Sequence, residues 1–472
     1  MKTLQPIGES DMETNRYTRR RFLKIAGLSA TLTLQKHATT FGRNQTSAPA
    51  NRPNIVFILT DDQRYDATGC AGHPWLKTPN MDRLAKEGVL FKNAFVTTSL
   101  CSPSRGSFLT GCYAHTHGVF GNSGRDPDPS FPMFAQLLQK TGYETAFIGK
   151  WHMSREDSPR PGFEHWVSFS GQGGYNKNKL NVNGQAVRSE IYVTDELTDY
   201  AVRFLKKEHD RPFMLYLSHK AVHAPFTPAK RHANLYSDVE IKSRHNPDDN
   251  LETKPPWGRK MDKNWKSQIL SYYRSLAAVD ESVGQVLETL EQIKALDDTV
   301  VIFAGDNGYF HGEHGGMWDK RAAYEPSIRI PLMMRYPRLA RPATTSDEMV
   351  LNIDLAPTLL ELAGIAIPGT MQGQSWLNVL KGRPGRNSFL YEYFQEADRR
   401  FKRPTVLAVR TKRWKYVTYP LDDSLTRELY DVKADPEELN NLVGSPESAD
   451  VVRQMKKELE QLKKETGFRF PG

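Results

Sequence analysis

Ile55-Val56-Phe57-Ile58-Leu59-Thr60-Asp61-Asp62 is an apolar, β-branched run that breaks into two acids. The run has no polar alternation, which suits a strand buried on both faces, as in a parallel sheet. Three further runs share this form. Thr145-Ala146-Phe147-Ile148 precedes Gly149-Lys150-Trp151-His152, Phe213-Met214-Leu215-Tyr216-Leu217-Ser218 leads to His219 and His223, and Thr299-Val300-Val301-Ile302-Phe303-Ala304 precedes Gly305-Asp306-Asn307-Gly308. An Asp-Asp pair alone reads as a solvated turn, but four strands that each deliver charged or metal-binding side chains at the carboxyl end describe the ligand crevice of an open α/β sheet. Helical patterns at 81–88, 133–141 and 194–208 fit crossover connections, and 267–294 reads as one long helix. The expected fold is therefore α/β, with a large, mostly parallel central sheet flanked by helices.

After about residue 365 the pattern changes to short runs, Val406-Leu407-Ala408-Val409, Trp414-Lys415-Tyr416-Val417 and Glu428-Leu429-Tyr430. Ser445-Pro446 then opens a final helix as N-cap and N1, with Val452, Met455, Leu459 and Leu462 on its apolar face. These imply a small C-terminal antiparallel sheet with a covering helix. The expected division is a leader at 1–50, a catalytic α/β domain at 51–365 and a smaller α+β subdomain at 366–472. The polar stretch 243–263, containing Pro255-Pro256-Trp257, reads as a long loop.

The chain has 472 residues, 38% hydrophobic and 25% charged, so it can bury a large core and wholesale disorder is excluded. No run approaches the roughly 20 apolar residues of a membrane span, so no stable membrane insertion is expected. Three cysteines make no disulfide framework, and Cys70 and Cys112 read as unpaired. Residues 1–50 hold eight Lys/Arg against three acids, so +5 of the net charge of +9 lies there. A nucleic-acid partner is therefore not implied by the basic balance. Thr18-Arg19-Arg20-Arg21-Phe22-Leu23-Lys24 is similar to the twin-arginine signal of bacterial exported proteins. A short apolar stretch at 25–34 follows, then Ala48-Pro49-Ala50 as a cleavage site. The implied partner is the Tat export machinery, and the implied destination is periplasmic or secreted.

One run carries chemistry: Leu100-Cys101-Ser102-Pro103-Ser104-Arg105-Gly106-Ser107-Phe108-Leu109-Thr110-Gly111. Pro103 suits the first turn of a helix and places Cys101 at its N-terminus, where free N–H groups and the dipole favour an anion. Arg105 adds a planar donor set for an oxyanion. Alone, the run also fits a buried cysteine beside a cap.

The whole run resembles the C-x-P-S-R-x-x-x-L-T-G signature of type I sulfatases, in the alkaline phosphatase superfamily. The resemblance extends over residues 51–472 through Asp61-Asp62, Gly149-Lys150-Trp151-His152, His223-Ala224-Pro225, Gly305-Asp306-Asn307-Gly308 and Trp318-Asp319-Lys320. It implies an alkaline phosphatase-like fold and a Cys101 oxidised to formylglycine (3-oxoalanine) by a maturation enzyme. One hydroxyl of the hydrated aldehyde would attack sulfur and the other would release sulfate from the sulfo-enzyme. It implies one Ca²⁺ per chain held by Asp61, Asp62, Asp306 and Asn307 beside residue 101, a set of oxygen donors that suits a hard cation. Arg105 and His152 would orient the hydrated aldehyde, Lys150 and Lys320 would offset sulfuryl charge, and His223 would protonate the leaving alkoxide. His219 reads as structural. His311 and His314 are candidate substrate contacts, with a packing role equally open.

The stretch 162–201 is similar to that of N-acetylglucosamine-6-sulfatases and related glycan sulfatases. The implied substrate is a sulfated carbohydrate, such as a polysaccharide bearing 6-O-sulfated hexose or hexosamine, with Trp257, Tyr175 and Trp318 as candidate stacking aromatics. Two other readings stay open: a phosphodiesterase or phosphonate monoester hydrolase of the same superfamily, and a glycan-binding protein with a vestigial pocket.

Overall fold

Backbone polar groups in the interior must be paired, so long apolar runs that bury both faces assemble as central strands. The computed structural model describes residues 52–122, 124–256, 263–396 and 403–471. The expected leader at 1–50 and Trp257 lie outside the described residues. In chain order the strands are β1 (Asn54–Thr60), β2 (Val89–Phe95), β3 (Glu144–Lys150), β4 (His165–Phe169), β5 (Asn178–Val182), β6 (Gln185–Ser189), β7 (Phe213–Ser218), β8 (Thr299–Gly305), β9 (Phe310–His311), β10 (Trp318–Asp319), β11 (Leu332–Arg335), β12 (Thr344–Leu351), β13 (Ser388–Tyr393), β14 (Val406–Thr411), β15 (Trp414–Thr418) and β16 (Glu428–Asp431). Ten of them form one sheet in the order β12-β2-β11-β8-β1-β7-β3-β4-β5-β6. Its centre, β8-β1-β7-β3-β4, is wholly parallel, and β11, β5 and β6 run antiparallel to their neighbours.

Successive side chains of β1 enter opposite layers, as the unbroken apolar run requires. Ile55, Phe57 and Leu59 join one core with Phe108, Phe134 and Leu359. Val56 and Ile58 join the other with Leu84, Leu197 and Val279. The helices Phe134–Lys140 and Leu355–Leu362 thus cover one face, and Pro79–Lys86, Val193–Lys206 and Trp265–Gln292 the other. Each fully buried side chain of this size contributes roughly 1.5–3 kcal/mol relative to exposure.

Register aligns the carboxyl ends. Leu59 pairs with Ser218 of β7 and Ala304 of β8, and Gly149 of β3 also pairs with Ser218. Beyond the ladder, the Asp306 N–H donates to Thr60 O at 2.9 Å and the His219 N–H to Leu59 O at 2.8 Å. Asp61, Lys150, His219 and Asp306 therefore leave neighbouring strands at one level.

The smaller antiparallel sheet runs β13-β14-β15-β16. The helix Ala449–Glu465 covers it with Met455, Leu459 and Leu462. This core also takes Phe95, Leu100, Leu351 and Ile353 from the larger part. Two details differ from the sequence reading. Strand β3 runs through Lys150 rather than stopping at Ile148, because Phe169 still pairs with Lys150. Ser445-Pro446 opens a short 3₁₀ turn, Pro446–Ser448, before the helix begins.

Gly149 is where the ladder leaves no room. It has φ +123°, and a Cβ there would meet Ser218 O at 1.8 Å. Gly149→Ala should destabilise the fold by at least about 1–3 kcal/mol, read as a lower urea midpoint at constant m-value. An unchanged midpoint would show that β3 and β7 can separate at this point without cost.

Candidate active site

The helix Cys101–Thr110 begins directly beneath the aligned strand ends, and all ten of its residues are buried. Leu100, in extended conformation, precedes it, so Cys101 is its first residue. Asn122 Oδ1 accepts from the Ser102 N–H at 3.1 Å. The Ser102 hydroxyl donates to His152 O at 2.6 Å, and the Ser104 hydroxyl donates to Asp306 O. The helix start is thereby tied to the ends of β3 and β8.

Asp61, Asp62 and Asp306 each place a carboxylate oxygen within 4.8 Å of the others, all fully buried. Lys150 is ion-paired to Asp61, and Lys320 to Asp62. Asp306 Oδ1 also accepts from the Asp62 N–H at 2.9 Å. Asn307 Nδ2 donates to Asp62 Oδ1 at 2.7 Å, while Asn307 Oδ1 is buried with no partner. Three carboxylates and one orphaned amide oxygen fit a hard divalent cation. Asp61, Cys101 and His223 form a second grouping with nitrogen and sulfur donors. The oxygen set is the one that holds an unsatisfied ligand atom.

Cys101 Sγ is 3.1 Å from Lys320 Nζ and 3.5 Å from Asp61 Oδ1. Burial, then Asp61, pushes its thiol well above the ordinary range. Burial would also raise Asp61, but Lys150, His223, Arg105 and Lys320 outweigh it and hold the carboxyl well below its usual range. Asp306 goes the other way, to about 6, because of burial first and Asp61 second. Burial works against the charge of Lys320, and Asp62 with its neighbours more than restores it.

Arg105 directs its donors at groups of the protein itself. Its Nε donates to Asp306 Oδ2 at 3.0 Å, and Nη1 to Ser218 Oγ at 2.7 Å and Lys150 O at 2.8 Å. Nη2 lies 2.9 Å from Asp306 Oδ2 and 3.3 Å from Asp61 Oδ2. The guanidinium is spent on the protein and brackets the ends of β1, β3, β7 and β8.

His152 and Asp62 adopt left-handed backbone, φ +62° and +58°. That strained conformation is sustained where surrounding contacts over-determine it. His152 Nδ1 is buried without a partner, and burial, then Lys150, lowers its basicity. His223 Nε2 is 3.7 Å from Asp62 Oδ2, and Nδ1 is 2.6 Å from Ala224 O, which assigns the proton to Nδ1 and turns Nε2 to the crevice. His219 is sealed, with Nε2 3.1 Å from Ser282 Oγ.

The structure does not bring His311 and His314 into this group. His311 is fully buried among Tyr272, Tyr273 and Trp318. His314 stacks on Tyr324 at 4.1 Å, with Nδ1 2.9 Å from Asp249 Oδ2. Tyr175 is likewise buried and gives its hydroxyl to His223 O at 2.7 Å, so it is no open stacking platform. Trp318 is half-buried. Sequence reasoning missed Gln172, whose Oε1 accepts from Lys150 at 2.5 Å, and Lys220, buried at the end of β7. Alternation after Ser218 is the signal that could have found Lys220. Gln172 lies in a loop and has no such signal.

Residues 53–365 match the Sulfatase family model, and residues 312–465 match the model described as N-sulphoglucosamine sulphohydrolase, C-terminal. The chain is 33% identical to an N-acetylglucosamine-6-O-sulfatase of Bacteroides thetaiotaomicron, over 90% of this chain and 88% of that protein. It is 30% identical to an ulvan-active sulfatase of Formosa agariphila, over 89% and 82%. A solved structure described as a complex with its substrate D-glucosamine-2-N,6-O-disulfate superposes with TM-score 0.81 at 31% identity, covering 88% of this chain and 98% of that one.

The raised Asp306 carboxyl yields a pH prediction. A cation needs the ionised carboxylate, and a proton held to about 6 competes with it. Affinity for a divalent ion, titrated calorimetrically, should rise from about pH 5 to about pH 7 and then level off. A flat profile across that interval would place the cation elsewhere.

Proposed function

The chain belongs to the sulfatase family and is a sulfuric ester hydrolase with an alkaline phosphatase-like fold, and from that premise we propose that it is an exported enzyme whose substrate is a glycan bearing 6-O-sulfated hexosamine. Its relatives include an N-acetylglucosamine-6-O-sulfatase, and a structural neighbour is described with a 6-O-sulfated glucosamine as its substrate. The observation that carries the reading is the buried carboxylate trio with an orphaned amide oxygen, set beside Cys101 and two lysines.

In this reading Cys101 is matured to formylglycine, whose hydrate would supply one hydroxyl to attack sulfur as the sugar oxygen leaves, and a second whose deprotonation reforms the aldehyde as sulfate departs. Asp61, Asp62, Asp306 and Asn307 would hold one Ca²⁺, which would supply Lewis-acid stabilisation of negative charge beside residue 101. Everything else falls to the chain's own side chains. Lys150 and Lys320 present buried ammonium groups to the sulfuryl oxygens, where low dielectric strengthens each contact. His152, with an unpartnered ring nitrogen, holds a hydroxyl at position 101. Arg105 positions the carboxylates. His223 keeps its Nδ1 proton on Ala224 O and offers Nε2 to the leaving oxygen. Burial, then Lys150, holds the basicity of His223 well below the ordinary imidazole range, and an anionic ester entering beside it would offset that by favouring the imidazolium that proton delivery needs. The twin-arginine-like leader supports export through the Tat machinery to the periplasm or beyond.

Cys101→Ala should abolish turnover with an unchanged thermal midpoint, because the smaller side chain suits a helix start. Retained activity would end the formylglycine mechanism. Wild-type enzyme assayed on N-acetylglucosamine 6-sulfate and on the matched phosphate ester should prefer the sulfate, and the opposite preference would favour a phosphoryl-transfer relative. A sugar alkoxide is a poor leaving group and nitrophenolate a good one. His223→Ala should therefore slow a sugar sulfate by about 10²–10⁴-fold and an aryl sulfate far less. Equal losses would make His223 a sulfate ligand instead of the acid.

A further inference from the structure

Five lysines are buried among the described residues: Lys150, Lys220, Lys254, Lys320 and Lys415. Four have a carboxylate. Lys150 pairs with Asp61, Lys320 with Asp62, Lys254 with Asp249, and Lys415 with Glu325 and Glu438. Lys220 is the exception. It is 2% exposed, and its ammonium has neither an ion pair nor a hydrogen bond to any described residue. Its ammonium lies over the face of Tyr175, 5.0 Å from Nζ to the ring centroid. A cation–π contact offsets only part of the desolvation of a buried ammonium.

Position explains what would complete it. Lys220 follows Ser218 by two residues, and Ser218 lies in register with Leu59 and Gly149. The side chain therefore leaves the sheet between the ends of β1 and β3. Its field reaches Lys150, Asp61, Asp62 and Cys101, and burial followed by repulsion from Lys150 lowers its basicity to about 8. Lys220 O accepts from the His223 N–H at 3.0 Å, and the Tyr175 hydroxyl holds His223 O at 2.7 Å. Lys220, Tyr175 and His223 thus form one side of the crevice, the side assigned above to the departing alcohol.

We propose that Lys220 is a direct ligand of the substrate's sulfate group, a third lysine whose missing counter-ion is the sulfuryl oxyanion on the His223 side of the pocket. This rests on the sulfatase reading. Lys150 and Lys320 come with carboxylates of their own, whereas Lys220 brings uncompensated charge. It therefore contributes to anion affinity at the expense of the stability of the empty protein.

That opposition of effects is the test. Lys220→Met keeps the length and the contact with Tyr175 but removes the charge. Inorganic sulfate, measured as a competitive inhibitor and by calorimetry, should bind the variant about tenfold or more weakly, the scale of one charge-assisted hydrogen bond. kcat/KM should fall by a similar factor on a mono-sulfated aryl ester and on a mono-sulfated sugar. The thermal midpoint of the ligand-free variant should equal or exceed that of the wild type. Lys220→Arg should recover part of the sulfate affinity. Sulfate affinity and kcat/KM unchanged in Lys220→Met would overturn the proposal. So would a lowered thermal midpoint accompanying the losses, which would mark Lys220 as a packing residue. A wild-type enzyme that binds no sulfate and cleaves no sulfate ester would instead remove the function on which the proposal stands.

Discussion

Three carboxylates lie side by side, buried beyond the ends of the central strands. Two unit charges about 5 Å apart repel by roughly 3 kcal/mol at an effective dielectric of about 20, before any cost of desolvation. Asp61, Asp62 and Asp306 stay together only because Arg105, Lys150 and Lys320 are delivered against them from three distant parts of the chain. The cations hold Asp61 well below its usual range, while burial and then Asp61 itself raise Asp306. Losing one cation would leave a buried charge unpaired, which is far more damaging than losing an exposed pair.

This constraint reaches well into the fold. Arg105 can meet Asp61, Asp306, Ser218 and the Lys150 carbonyl together only if β1, β3, β7 and β8 end at one level. That demands parallel register across the centre of the sheet, and a glycine at position 149 where β3 closes on Ser218 O. It also demands that the helix carrying Arg105 be wholly enclosed, which explains why its Ser102 and Ser104 hydroxyls are spent on backbone carbonyls.

The central strands were legible because both their faces are apolar, and an unbroken run such as 55–59, too short for a buried helix, fits little but a strand enclosed on both sides. The outer strands were not. β2 carries Lys92 and Asn93 in its middle, β5 and β6 are largely polar because one face meets solvent, and β13 lies behind Gly and Pro residues. At the site, the residue types that hold cations could be read from their places after strands. What each touches could not. Arg105 is as suited to a free anion as to a protein carboxylate, and only geometry shows the second. Lys220 is indistinguishable in sequence from a solvated lysine. His311 and His314 sit in a motif-rich stretch, yet the ladder of β9 and β10 sets His311 among aromatic rings, and His314, in the turn between those strands, stacks on Tyr324.

The C-terminal segment completes the frame from the opposite side. The Glu392 N–H on β13 donates to Thr97 O, and its carboxylate takes His115. Just beyond the strand, Glu396 accepts from Arg321 Nε at 2.6 Å and from the Asn122 N–H at 3.3 Å. Arg321 is the neighbour of Lys320, and Asn122 caps the helix of Cys101 at Ser102. One carboxylate thereby links the lysine side of the pocket to the helix start without entering the charged trio. The two sheets are therefore not independent. The core of the smaller one includes Phe95, Leu100, Leu351 and Ile353 of the larger part, and Leu100 immediately precedes Cys101. A change in that shared core would be felt at the helix start, even though none of its residues belongs to the charged trio.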